Sequence, residues 1–302
     1  MKIFITGGTG FVGSHFVEDL LRSKHTVTVL TRSKRSSSRE GLTFITGDPN
    51  ESGNWQDSLA DHDVVINLAG TSIFGRWSGE RKKRILQSRV ETTTHIVEAV
   101  MKDAHRVSVL INASAVGFYG NDPHREVDES DKAGDDFLAR VAVQWEEEAM
   151  KASAGGIRVV CCRFGVVLGP DGGALAQMVP AFRLGLGSKL GSGRQWFPWI
   201  HIDDLTRIVR FVMDRGEISG PVNCTSPQQV TNAQFTKSFA KALHRPLFLP
   251  QVPSFVLKLA LGEASEVLLG GQQVKPDVLR SHGFEFKHEE LDRALADIVG
   301  KM

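Results

Sequence analysis

Gly7, Gly10 and Gly13 recur at every third position directly after a short apolar stretch, Lys2–Thr6, and open a helix carrying Phe16, Leu20 and Leu21. A G-x-x-G-x-x-G turn between a strand and a helix suits one chemistry above others. The chain reverses sharply, a pyrophosphate approaches the backbone, and the helix packs close to the strand, each favouring a residue without Cβ. The free N–H groups and positive dipole end of the helix then face the phosphates. Thr9, Phe11 and Val12 are assigned with the glycines to this cradle. The second candidate lies at the end of the next strand, Thr26–Thr31. A dinucleotide site that takes NAD offers an acid there for the ribose 2′-hydroxyl. This chain offers Thr31-Arg32-Ser33-Lys34-Arg35, with no acid between Asp19 and Glu40. Arg grips a phosphate with two hydrogen bonds, whereas an acid repels it. The expectation is therefore NADP(H), with Thr31 and Arg32 at the 2′-phosphate.

The remaining composition excludes several classes. The 302 residues hold 36 Lys+Arg against 35 Asp+Glu, a net charge of +1. That balance, with few aromatics among the basic residues, argues against nucleic-acid binding. The cations Arg76, Arg81, Lys82, Lys83, Arg84 and Arg89 crowd one helix start, where they oppose the dipole. They read as a solvated face, with an anionic partner as the alternative. Cys161, Cys162 and Cys224 are three, two of them adjacent, so reduced thiols and a cytoplasmic setting are expected. No metal-ligand spacing occurs, so no metal is expected. No apolar run of 18 residues exists, and no membrane partner is expected.

Short apolar runs alternate with helical patterns through the first half. Lys2–Thr6, Thr26–Thr31, Leu42–Thr46, Val64–Asn67, Val107–Ala113 and Ile157–Leu168 read as strands. Between them, Leu86, Val90, Val97 and Met101 share a face of one helix, and Leu138, Val141, Trp145 and Ala149 share a face of another. This pattern implies a doubly wound parallel sheet of Rossmann type. The second half is poor in strands. Thr231 with Gln234 forms a capping box before the stripe Phe235, Phe239, Leu243. Leu291, Leu295 and Ile298 form a last stripe. We expect a Rossmann domain over 1–168 plus about 201–224, and a smaller, mostly helical lobe over 169–200 plus 225–302. A small polar substrate would lie between the sheet edge and the lobe, with Arg183, Phe197 and Trp199 as walls.

With these motifs in place the chain resembles the extended short-chain dehydrogenase/reductases. Within them it resembles a branch labelled epimerase family protein, through Ser88–Thr93, Pro180–Gly187, Gly191–His201 and Leu268–Pro276. The resemblance implies further cofactor contacts. Asp48 matches an adenine-contacting acid, and Asn67-Leu68-Ala69-Gly70 the loop along the cofactor, with Leu68, Ala69 and Gly70 as its contacts. Val167 lies in the turn beside the nicotinamide, and Arg89 stands where relatives carry Asn near the active site. It implies a small-molecule substrate of nucleotide-sugar type and a homodimer through the helices near 80–101 and 136–150.

The same resemblance exposes a gap. Relatives use Tyr-x-x-x-Lys with a Ser or Thr, the Lys lowering the Tyr pKa for proton exchange. Tyr119 is the one tyrosine and Pro123 stands four residues on. The helix that should carry the pair offers Leu138 or Phe137, and Ala142 or Val141. The hydroxyl position falls on Ala115, with Ser114 one earlier. Ser114 and Tyr119 are the catalytic candidates, with His201 a weaker acid/base. Two readings follow. One is an NADP(H)-binding, epimerase-like oxidoreductase. The other is a non-catalytic NADP(H) sensor or interaction protein.

Overall fold

The computed structural model describes residues 1–102, 106–122 and 124–302; Pro123 lies outside them. Seven strands form one parallel sheet. In chain order they are β1 (Lys2–Thr6), β2 (Thr26–Thr31), β3 (Leu42–Thr46), β4 (Val64–Asn67), β5 (Val109–Ala115), β7 (Arg158–Phe164) and β10 (Gly220–Cys224). Their spatial order is β10-β7-β5-β4-β1-β2-β3. The order reverses at β1, so a crevice opens at the C-terminal ends of β1 and β4.

Because both sheet faces are covered, strand residues are apolar at nearly every position. Ile3, Ile5, Val27 and Val29 pack to one side against α1 (Phe11–Arg22) and α5 (Ile202–Asp214). Phe4, Leu30, Val65 and Leu110 pack to the other, where Ile96 and Ala149 belong to α2 (Gly79–Lys102) and α3 (Phe137–Met150). The buried face of α2 is Ile85, Thr92, Ile96 and Val100. Of the apolar stripe expected there, Val97 is buried and Met101 is exposed. Small polar residues such as Thr92 and Thr93 occupy the inner face because they make hydrogen bonds there, which apolar periodicity alone misses.

The run Ile157–Leu168 does not continue as one strand. The chain leaves the main sheet at Gly165 and pairs β8 (Val166–Leu168) with β9 (Trp199–His201). A Cβ on Gly165 would meet the Pro198 carbonyl oxygen at 2.9 Å, and the Gly165 N–H bonds Cys224. Close backbone approach breaks the strand there.

The second core gathers Leu168, Leu175, Phe182, Trp199, Phe235 and Leu295. It joins α4 (Gly173–Arg183), α6 (Asn232–Ala242) and α10 (Leu291–Gly300). Thr231 caps α6 with both bonds of the capping box present. Between α6 and α10, residues 273–286 return to the sheet domain. β11 (Gln273–Val274) pairs with β6 (Glu126–Val127), and Leu279 and Phe284 enter the first core. No helix among the described residues is long and apolar enough to cross a membrane.

Candidate functional site

The glycine turn is tight. Gly7 has φ +70°, and a Cβ there would fall 2.7 Å from the Leu68 carbonyl carbon. A Cβ on Gly13 would fall 2.6 Å from Gly8 Cα and closer still to the Gly7 carbonyl oxygen. The turn is therefore seated on the 68–70 loop. Gly10 caps α1 with no side-chain bond, so the first N–H groups of α1 lack a capping side chain. Phe11 turns away, its ring enclosed by Gly169, Gly172 and Gly173, and His15 meets Asp171 at 3.0 Å. Val167, half-buried, packs on the same side.

At the end of β3, Asp48 accepts hydrogen bonds from the Asn50 backbone (2.9 Å) and side chain (3.1 Å). A cavity of about 300 Å³ opens beside it, lined by Thr46, Gly47, Asp48 and Trp55. At the end of β2, Thr31 is buried and its hydroxyl donates to Ser33 O at 2.8 Å, turning the chain outward. Arg32, Lys34 and Arg35 then stand exposed in one loop.

A ladder of buried polar groups crosses the sheet under the crevice. Thr6 Oγ1 donates to Asn67 Oδ1 (2.6 Å), and Asn67 Nδ2 donates to Asn112 Oδ1 (2.7 Å) and Thr93 Oγ1 (2.9 Å). Trp145 Nε1 also donates to Thr93 Oγ1 (3.0 Å). The ladder fixes α2, and with it Arg89. That guanidinium donates to Thr71 O (3.1 Å) and Ile85 O (2.9 Å) and lies 5.2 Å from the Trp145 ring. It lines Gly70, with 3.2 Å between its Cζ and a Cβ built there. Burial pulls its pKa down to about 10. Carbonyls and a ring hold it, and the described residues offer it no carboxylate.

The catalytic candidates sit in a second buried network. Ser114 Oγ donates to Glu146 Oε1 at 2.6 Å. Arg163 pairs with Glu146 through two bonds of 2.8 Å and donates to the Tyr119 hydroxyl at 2.8 Å. Tyr119 donates onward to Asn223 Oδ1 at 2.7 Å. Burial pushes the Tyr119 pKa up to about 12, with Arg163 pulling the other way. Burial also lowers the Arg163 pKa, but Glu146 outweighs it and the net shift is upward. Strand alternation leaves Ala115, not Ser114, exposed at the end of β5. Leu138 on α3 faces Gly117 and Ala142 is buried, so the expected proton-relay positions are apolar.

Sequence reasoning missed Glu146 and Asn112, and missed the buried networks that Arg163 and Asn67 join. The available signals were a charge inside the apolar run Val159–Phe164 and an acid on the inner face of α3. Of the expected substrate walls, Arg183 is exposed and Phe197 is half-buried, stacked on Phe235 at 4.1 Å. Trp199 is fully buried, its indole donating to Gln228 O at 3.1 Å, so it presents no surface to a ligand.

His201 belongs to a clasp between α5 and α10. Its Nδ1 accepts the Asp203 N–H at 3.0 Å, and its Nε2 lies 3.3 Å from Asp297. Its ring stacks on His288 at 3.7 Å, with Asp203 3.6 Å from His288 Nε2. Lys301 bridges Asp297 (2.6 Å) and Asp203 (3.5 Å). These side chains place metal-ligand atoms within 4.8 Å of one another. Parallel rings aim their in-plane lone pairs side by side, however, and the cap bond leaves the His201 proton on Nε2. The geometry is that of an ion-paired clasp. Burial and the neighbouring His288 lower the His201 pKa from 6.5 to about 4, against the pull of Asp203 and Asp297. A depressed histidine pKa means the unfolded chain binds the extra proton. Stability is then full above pH 6.5 and falls by about 3 kcal/mol as pH drops towards 4. Urea unfolding across that range checks it; a His201→Asn variant, which keeps a cap acceptor, should show a flatter profile.

A model of the NAD dependent epimerase/dehydratase family matches residues 3–224, and one of a domain of unknown function, DUF1731, matches residues 252–298. Epimerase family protein YfhF of Bacillus subtilis is 40% identical over 300 residues, covering 99% of this chain and 98% of that protein. The crystal structure of human epimerase family protein SDR39U1 (isoform 2) with NADPH superposes with a TM-score of 0.88. It is 33% identical and covers all of both chains. A nucleoside-diphosphate sugar epimerase from Corynebacterium glutamicum is 32% identical with a TM-score of 0.81, covering all of this chain and 58% of that one. The crevice, the glycine cradle and these matches agree, and the chain belongs to the NAD-dependent epimerase/dehydratase family.

Proposed function

We propose that this chain binds NADP(H) in the crevice between β1 and β4 and acts there on a small polar substrate of nucleotide-sugar type. The observation that carries the cofactor reading is a pair of cations without acids. Arg32 stands at the end of β2 in an acid-free loop, and Arg89 lines Gly70 with carbonyls as its hydrogen-bond partners among the described residues. Arg32 grips the 2′-phosphate. Arg89 faces the phosphates or the nicotinamide ribose, where an anion offsets the cost of its burial. The glycine turn holds the pyrophosphate, and Asp48 borders the adenine cavity. Bound NADP(H) supplies hydride chemistry; the human relative was crystallised with NADPH. The nucleotide-sugar class rests on the name of the Corynebacterium relative.

Paired titrations with NADPH and NADH test the cofactor reading. NADPH should bind at least tenfold more tightly, about 1.4 kcal/mol. Arg32→Ala should erase most of that preference while leaving NADH affinity unchanged. Equal affinity for the two cofactors overturns the role of Arg32.

In this reading Ser114 and Tyr119 are positioning residues. Their hydroxyls hold Glu146, Arg163 and Asn223, and the proton must come from water or substrate. The same observation favours the second reading, a cofactor-binding sensor without turnover, since apolar Leu138 and Ala142 occupy the relay positions. NADPH oxidation or isomer exchange with nucleoside-diphosphate sugars separates the two.

A further inference from the structure

The whole chain is nearly neutral, but its acids are unevenly placed. No Asp or Glu occurs in residues 172–202 or 218–262, which carry seven Lys and Arg. These stretches supply α4, α6 and α7 (Ser254–Leu261). They also carry most of the exposed large apolar side chains. Phe248 is 81% exposed, Leu259 78%, Leu184 75% and Phe255 70%, with Leu186 and Leu249 beside them. α7 buries none of its residues.

The two apolar stretches are held together. Val252 N–H donates to Lys189 O at 2.8 Å, Gly191 N–H donates to Val252 O at 2.9 Å, and Ser188 bonds Pro250. Phe255 and Leu259, four residues apart, share one face of α7. Arg183, Lys189, Arg245 and Lys258 are interleaved with the apolar residues and exposed. Arg76 approaches Gly262 at the far end of α7, where Lys82 pairs with Glu263, so the basic surface ends at that edge.

We propose that this surface docks on an anionic lipid bilayer. Side chains this exposed stand proud of the surface, which suits shallow insertion at the headgroup boundary. The exposed cations Arg183, Lys189, Arg245 and Lys258, on stretches that hold no acid, complement anionic headgroups. A second copy of the chain fits less well. A twofold contact sets the patch against itself, cation facing cation. Surface docking requires no spanning helix, and whole-chain composition hides it because the charges cancel elsewhere.

Flotation of the full-length protein with vesicles tests the proposal. Vesicles of phosphatidylcholine with 30% phosphatidylglycerol should capture the protein at least tenfold more than phosphatidylcholine alone, and 0.5 M NaCl should remove most of the difference. Phe248→Ser with Phe255→Ser should cut capture at least tenfold. Arg245→Gln with Lys258→Gln should cut it by roughly fivefold per charge removed, with the apolar residues intact. Thermal unfolding and circular dichroism report that each variant is folded. Failure of the intact protein to float with anionic vesicles overturns the proposal, as does capture of both variant pairs equal to that of the parent. Concentration-dependent dimerisation lost in the Phe variants, without vesicle capture, assigns the patch to a second copy and also overturns it. None of these outcomes depends on the NADP(H) reading.

Discussion

Glu146→Ala should lower folding stability by about 3–5 kcal/mol. The carboxylate is buried and accepts from Ser114 and twice from Arg163. Its loss leaves a guanidinium unpaired within β7, flanked by Cys162 and Phe164 and lying 3.4 Å from the Phe118 ring centroid. A buried charge without a counter-charge costs far more than the intact pair contributes, because desolvation of both partners offsets most of their attraction. The double variant Glu146→Leu, Arg163→Met should therefore recover much of the loss. Urea unfolding of Glu146→Leu, Arg163→Met and the double variant gives the coupling directly. A loss under 1 kcal/mol for Glu146→Ala would show that water reaches Arg163. Because Ser114 loses its acceptor, the end of β5 should also shift, and NADPH affinity with it.

Gly13→Ala should weaken NADPH binding by at least 100-fold, about 2.8 kcal/mol. The added methyl meets Gly8 Cα at 2.6 Å and the carbonyl of Gly7, and neither can swing away as a flexible side chain could. The first turn of α1 must move off β1, taking with it the N–H groups proposed to hold the pyrophosphate. Overpacking should cost about 1–3 kcal/mol in stability. Gly79→Ala at the start of α2 is the control. Nothing lies within 4 Å of a Cβ there, so it should change neither property. Cofactor binding by Gly13→Ala within threefold of the parent would mean that the cradle is not where the phosphates sit.

Local chemistry was legible in the sequence. The glycine spacing, the acid-free end of β2 and the alternation of apolar runs with helical stripes specified a Rossmann sheet. Each depends on neighbours within a few residues, and periods of 2 and 3.6 are local properties. The capping box at Thr231 was readable for the same reason. Which hydroxyl ends up exposed was not. Ser114 and Ala115 are adjacent, and the choice between them follows from register with Arg163 and Phe164 on β7. That pairing crosses about fifty residues. The clasp of His201 with His288 and the polar ladder through Asn67 and Asn112 likewise join residues far apart in the chain. The exposed face of α7 has the same origin. Its sequence reads as core, and only the packing of α4, α6 and α10 into a complete core without it leaves those side chains outside. Thus short-range spacing decided the fold and the cofactor cradle. Tertiary packing decided which polar groups are spent on one another and which surfaces remain to meet a partner.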